Sequence, residues 1–135
     1  MPLLVDTGVL YALADRRDAW HARVQNYLKS HRETLLAPVT VLPEVTYLLR
    51  ERVGAEAEHR FVTSLARTEI AVEPLRPSDL QRADELLADY DQIGFVDATV
   101  VAIAERLQLE IIATTDHRHF ASIRPSHIRH FTLVP

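Results

Sequence analysis

Four carboxylates in this chain stand where carboxylates are costly. Asp6 in LLVDTG, Glu44 in VLPEVTYLL, Asp97 in IGFVDATVV and Asp116 in IIATTDHRHF are each embedded in apolar sequence. A carboxylate near a core loses hydration, and several together repel one another, so protons or a cation must offset the charge. Taken singly, each has a structural use: Asp97 can cap the helix after it, Asp6 and Asp116 can be turn residues after strands, and Glu44 can be a solvated helix residue. Taken together, they favour a hard cation. The chain has no cysteine, and its histidines lack a convincing pairwise spacing for zinc on a helix, which leaves Mg²⁺ or Mn²⁺ held by oxygen. Mg²⁺ is usually bound by a few carboxylates plus substrate phosphates, so an open acidic pocket is also a phosphoryl-transfer site. Two such ions about 3.5–4 Å apart can activate a water and stabilise the leaving oxygen of an in-line displacement.

The elements that must carry these acids follow from periodicity. Leu3-Leu4-Val5, Leu35-Leu36-Ala37, Ile70-Ala71-Val72 and Glu110-Ile111-Ile112-Ala113 are short runs ending in turn-forming sequence, with Phe131–Val134 as a fifth candidate. Runs without apolar/polar alternation suit strands covered on both faces. Helical spacing places Trp20, Val24, Tyr27, Leu28 and His31 on one face, with Asp18 as the cap. Val41, Leu42, Val45, Leu48 and Leu49 mark a second helix, in which Pro43 is tolerable only in the first turn. Ala55–Arg67 reads as a more polar surface helix. Ser78 and Gln81 resemble a capping box before the stripe Leu80, Ala83, Leu87 and Tyr90, with Gly94 as the stop. Ala98–Leu109 is apolar on most sides and reads as a buried helix opened by Asp97. This alternation predicts an α/β three-layer sandwich with a mainly parallel central sheet. Ligands of such sheets bind beyond the carboxyl ends of the strands, and Asp6 and Asp116 both sit at such ends.

Composition narrows the class further. With 135 residues, 47% hydrophobic and 25% charged, the chain suits one globular domain over residues 1–135, not a disordered or fibrous protein. Neither a basic leader followed by an apolar run nor a membrane-length apolar window is visible, so a cytoplasmic protein is expected. The net charge of −4 argues against binding nucleic acid by bulk positive charge. Its distribution is uneven, however: His117–Pro135 contains no Asp or Glu, while Arg118, Arg124 and Arg129 alternate with four histidines. These arginines are candidate contacts to the phosphates of a polyanion, with an ordinary basic surface as the alternative. His117 and His119, two apart, invite a metal reading, but in a loop such residues are more often solvated, so no histidine or lysine is expected at the acidic core.

The ordered set of motifs resembles the PIN-domain nucleases, and especially the VapC-type toxins of bacterial toxin–antitoxin pairs. It comprises Asp6-Thr7, Pro43-Glu44, Asp97-Ala98 and the segment Thr114, Asp116, Phe120, and it spans essentially the whole chain. The resemblance implies endonucleolytic cleavage of RNA with Mg²⁺ or Mn²⁺. Asp6, Glu44 and Asp97 would be the central ligands, Asp116 a ligand of a second ion or its waters, and Thr7 and Thr114 supporting polar groups. It also implies a homodimer neutralised by an antitoxin whose tail fills the site. Products with a 5′-phosphate and a 3′-hydroxyl are expected. Receiver domains and haloacid-dehalogenase-like phosphatases also place acids at strand ends, but they need a lysine near a late strand, and Lys29 is the only lysine. The remaining alternative is a non-catalytic RNA-binding or scaffold module of the same fold.

Overall fold

The computed structural model, which describes residues 1–135, converts the apolar runs into strands and the 3.6-residue patterns into helices. The order is β1 (Leu3–Val5), α1 (Thr7–Ala14), α2 (His21–Ser30), β2 (Leu35–Pro38), α3 (Leu42–Arg52), α4 (Ala55–Ala66), β3 (Ala71–Glu73), α5 (Pro77–Asp89), α6 (Phe95–Arg106), β4 (Ile111–Ala113), α7 (His117–Ala121) and β5 (Thr132–Val134). The strands form one sheet in the order β3-β2-β1-β4-β5, and every pairing is parallel. All three residues of the central strand β1 are buried, so both of its faces are covered. From β1 the chain winds outward in two directions, to β2 and β3 on one side and to β4 and β5 on the other. The carboxyl ends of β1 and β4 therefore border the point where strand order reverses, the usual ligand crevice of open parallel sheets. Val5 pairs with Ala113, so Asp6 and Thr114 leave the sheet side by side.

Local chemistry sets the helix starts, in several places differently from the sequence expectation. The Asp6-Thr7-Gly8 segment, read as a turn, opens helix α1: Asp6 is its N-cap and accepts from the Val9 amide at 3.0 Å. Segment 117–121, read as loop, is the short helix α7 with Asp116 as its N-cap. Asp97 does not cap α6. Gly94 holds that position in extended backbone, and Asp97 lies in the first turn, where its carboxylate accepts from the Gly94 backbone. Gly94 thus starts a helix and does not stop one, since α5 already ends at Asp89. At the start of α5 the cap is Asp79, which accepts from the Arg76 amide at 2.9 Å, in place of the Ser78 and Gln81 pair. Its buried face is Asp79, Ala83 and Leu86, leaving Leu80 and Leu87 exposed. Asp18 closes a turn on the Trp20 amide and does not cap α2, and His31 lies just beyond that helix. Pro43 sits in the first turn of α3 as expected.

One cluster of 30 buried apolar residues joins the sheet to the helices. Helix α6 lies within it, with every residue from Ala98 to Glu105 buried. The α5–α6 interface carries two ion pairs. Arg106 grips Asp79 with two hydrogen bonds of 2.9 and 3.0 Å. Arg82 grips Glu105 in the same two-pronged way at 2.7 and 3.1 Å, while the Ser126 amide adds a bond of 2.7 Å to that carboxylate. Burial pushes the Asp79 and Glu105 carboxyls up, but the arginine partners and backbone amides outweigh it and hold both below their ordinary values. No helix is long and apolar enough to cross a membrane.

Removing one partner of a buried pair leaves an uncompensated charge, and Asp79 is only 2% exposed. Arg106→Met is therefore expected to destabilise the fold by about 3–5 kcal/mol in urea unfolding. Arg106→Met combined with Asp79→Leu should recover most of that stability.

Candidate active site

The four acids collect at the β1/β4 crevice through the starts of four helices. Asp6 is the most deeply placed, at 7% exposure. One of its oxygens takes the Val9 amide and the other takes the hydroxyl of Thr114, which is itself fully buried. That hydroxyl also accepts the Asp116 amide at 2.8 Å, so one side chain sets the positions of two acids. Thr7, on the first turn of α1, donates to Glu44 Oε1 at 2.7 Å. Glu44, in the first turn of α3, is exposed and not buried in the apolar stripe that flanks it. Thr40, just before α3, shares a 2.7 Å hydroxyl contact with Thr99, and Thr99 donates to the Val96 carbonyl. This ties the start of α3 to the start of α6 and thereby holds Glu44 near Asp97.

The electrostatics separate these acids from the paired ones. Asp79 and Glu105 each have an arginine, whereas Asp6 is buried with no basic partner. Desolvation, reinforced by the Asp97 and Asp116 charges, raises its carboxyl to about 6 despite hydrogen bonds from Thr114 and Val9. Asp97 is also raised, first by burial and then by Asp116 and Glu44, with His119 and the Gly94 backbone opposing.

His119 is the residue that the sequence reading set aside as solvated. Its Nδ1 lies 2.6 Å from Asp116 Oδ2 and 4.0 Å from Asp97 Oδ2. The expectation of an acidic core without histidine is therefore overturned. The cause is α7: once Asp116 starts a helix, a residue three positions later lies beside it. The Asp116-x-x-His119 spacing was the available signal. His117 instead turns its Nε2 to the Thr114 carbonyl at 3.1 Å and packs against Trp20. Among the C-terminal arginines, Arg124 and Arg129 line one cavity of about 370 Å³ with His130. Arg118 stands apart, exposed on α7.

Hard oxygen donors with one imidazole, arranged around an uncompensated negative charge, suit a divalent cation such as Mg²⁺ or Mn²⁺. Asp97, Asp116 and His119 each present a ligand atom within 4.8 Å of the others. An acidic crevice at the switch point of a parallel sheet defines the class: an α/β domain with a cluster of side chains that could hold a metal ion. The chain belongs to the PIN domain family, whose model matches residues 3–124. It is 30% identical to Ribonuclease VapC26 of Mycobacterium tuberculosis over 98% of this chain and all of that protein. The crystal structure of M. tuberculosis VapC20, described as a sarcin-ricin loop cleaving toxin, superposes with a TM-score of 0.82 at 25% identity, covering 94% of this chain and 98% of that one. A toxin–antitoxin complex from Klebsiella pneumoniae shares the fold at a TM-score of 0.70 and 21% identity, covering 90% and 92%.

The raised Asp6 carboxyl has a consequence for stability. Its folded value near 6 exceeds the ordinary 3.8, so between these values the folded state holds more protons. Stability of the metal-free protein should then fall as pH rises from about 4 to 6, by about 3 kcal/mol from this group. Asp6→Asn removes the charge, so at pH 7 the metal-stripped variant should melt several degrees above wild type in a thermal scan. Added Mn²⁺ should stabilise wild type more than the variant. A variant that melts below wild type would show that the ionised carboxylate stabilises the metal-free fold.

Proposed function

We propose that this protein is a metal-dependent endoribonuclease, the toxin of a toxin–antitoxin pair, with Asp6, Glu44, Asp97 and Asp116 as its metal-binding and catalytic residues. The observation that carries the reading is the buried, unpaired Asp6 beside Asp97 and Asp116 at the sheet's switch point, in a chain related over its length to a VapC ribonuclease. Bound there, Mg²⁺ or Mn²⁺ would polarise a phosphodiester oxygen and make a water more acidic.

The chain's own groups have distinct tasks. Asp6, held on both oxygens by Val9 and Thr114, cannot swing away and serves as the fixed donor. Glu44 is exposed and oriented by Thr7, which suits a group that meets solvent and the reacting water. Asp97 and Asp116 close the other side. Thr7 and Thr114 are positioning residues. Arg124 and Arg129, around their shared cavity, would draw in the phosphates of an RNA strand, with Arg118 as a further surface contact. RNA is the substrate class in this reading, and the cleaved ends carry a 5′-phosphate and a 3′-hydroxyl. The solved relatives crystallised as toxin–antitoxin complexes support a cognate antitoxin as partner, and a homodimer is the expected assembly.

Purified protein incubated with a mixed cellular RNA pool and Mg²⁺ or Mn²⁺ should yield discrete fragments, and EDTA should abolish them. Asp97→Asn, which does not disturb the Gly94 cap, should fold normally and lose at least about a hundredfold in rate. Fragments that persist in EDTA, or a fully active Asp97→Asn, would point to a metal-independent nuclease. No cleavage by folded, metal-loaded protein would favour a binding module. Fragments bearing 2′,3′-cyclic phosphate would show that the ribose 2′-oxygen is the nucleophile and would overturn the assignment of water to that role.

The arginines around the cavity have their own test. Arg124→Ser with Arg129→Ser should raise KM and leave kcat nearly unchanged. The slope of log affinity against log salt should become shallower by about one for each phosphate that the variant no longer neutralises. An unchanged salt slope would return these arginines to ordinary surface.

A further inference from the structure

The histidines of this chain are not equivalent. His21, His31, His117 and His127 each place a ring nitrogen on a backbone carbonyl, at distances of 2.7 to 3.1 Å. These bonds account for their ring orientation without any ligand. His119 alone faces carboxylates, and one atom does so twice: Nδ1 lies 2.6 Å from Asp116 and 4.0 Å from Asp97. The arrangement is held from two sides. The His119 amide donates to Asp116 Oδ1 at 3.2 Å, and the next residue, Phe120, is fully buried and anchors α7 to the core. The three side chains remain partly open, at 42%, 29% and 40% exposure for His119, Asp97 and Asp116, so an ion can enter and water or substrate can complete its shell.

We propose that His119 is a metal ligand through Nδ1, completing with Asp97 and Asp116 a mixed oxygen–nitrogen site that selects Mn²⁺ over Mg²⁺. A proton on Nδ1 occupies the space that a cation would take between the two carboxylates. In the tautomer with its proton on Nε2, the Nδ1 lone pair points into the same space, where it can serve as a ligand. Neighbouring ligands of an octahedral ion with bonds of about 2.1 Å lie roughly 3 Å apart, and opposite ones about 4.2 Å. The observed separations of 2.6 and 4.0 Å are within small side-chain rotations of that geometry. Imidazole adds affinity for first-row transition ions, while Mg²⁺ prefers oxygen and gains little from nitrogen.

This inference rests on reading Asp97 and Asp116 as metal-binding, and the experiment separates the two. Mn²⁺ is titrated into metal-stripped protein, with free ion followed by EPR and ligand nitrogen read by pulsed EPR. Wild type should show ¹⁴N coupling to bound Mn²⁺, converted to a ¹⁵N pattern by histidine-selective ¹⁵N labelling, a result independent of any variant's folding. In His119→Gln the coupling should vanish and Mn²⁺ affinity should drop by at least about tenfold, with Mg²⁺ affinity by competition changing much less. Saturable Mn²⁺ binding without histidine coupling, or coupling that survives in His119→Gln, overturns the role of His119 alone. Equal losses for both ions overturn the selectivity and make His119 a group that only holds Asp116. If no Mn²⁺ binds, the reading of the acidic site falls with it.

Discussion

The hydrogen bond from Thr114 to Asp6 joins the ends of the two strands around which this molecule is organised. Parallel pairing of Val5 with Ala113 delivers both residues to the same crevice, and burial makes each need the other. Asp6 has two oxygens to satisfy and receives one donor on each, from Thr114 and from the Val9 amide. Thr114 has one proton to give and lone pairs to share, and one of these accepts the Asp116 amide. The position of Asp116 is thereby coupled to that of Asp6, and Asp116 in turn starts α7 and sets His119 facing Asp97. A chain of interactions thus runs from the first strand to the sixth helix through residues far apart in sequence.

Burial alone would not distinguish Asp6 from Asp79 or Glu105, which are hidden to a similar extent. The difference is the company each keeps. Asp79 and Glu105 meet arginine side chains in two-pronged pairs that clamp α5 to α6. Asp6 meets other acids. The clamps have a bearing on the crevice, because α6 carries Asp97 in its first turn and buries its other faces. A helix fixed at its far end by Arg106 and Glu105 offers a rigid base for a carboxylate at its near end.

What could be read in the sequence divides along the same physical line. Strands buried on both faces, such as Leu3–Val5, announce themselves as unbroken apolar runs, and so the sheet was legible. The four acids stood out because each interrupts such apolar sequence. Helix α1 was not legible, because TGVLYALA is apolar on nearly every side and carries no polar face to set a period. Helix α7 is too short to show a period at all, and with it went His119. Nothing in the sequence singled out Asp79 or Glu105; only the pairing of α5 with α6 brings them to their arginines. The Ser78 and Gln81 cap failed because Pro77 takes the first helical position and makes Asp79 the third residue, the one that can reach back to Arg76.

The helix starts carry a last consequence. Asp6 and Asp116 cap α1 and α7, while Glu44 and Asp97 lie in the first turns of α3 and α6. Four helices therefore bring the positive ends of their dipoles to the crevice where the acids gather. Such an end stabilises a nearby carboxylate by about 0.3–1 kcal/mol. The rise of the Asp6 carboxyl to about 6 corresponds to a net penalty of about 3 kcal/mol on its ionised form, with the hydrogen bonds to Thr114 and Val9 already counted. Backbone dipoles and hydrogen bonds thus reduce the repulsion without cancelling it. The remainder can be met by a proton or by a cation. A divalent ion would meet the ligand atoms of Asp97, Asp116 and His119 at once, whereas a proton would neutralise one carboxylate and leave the others facing each other.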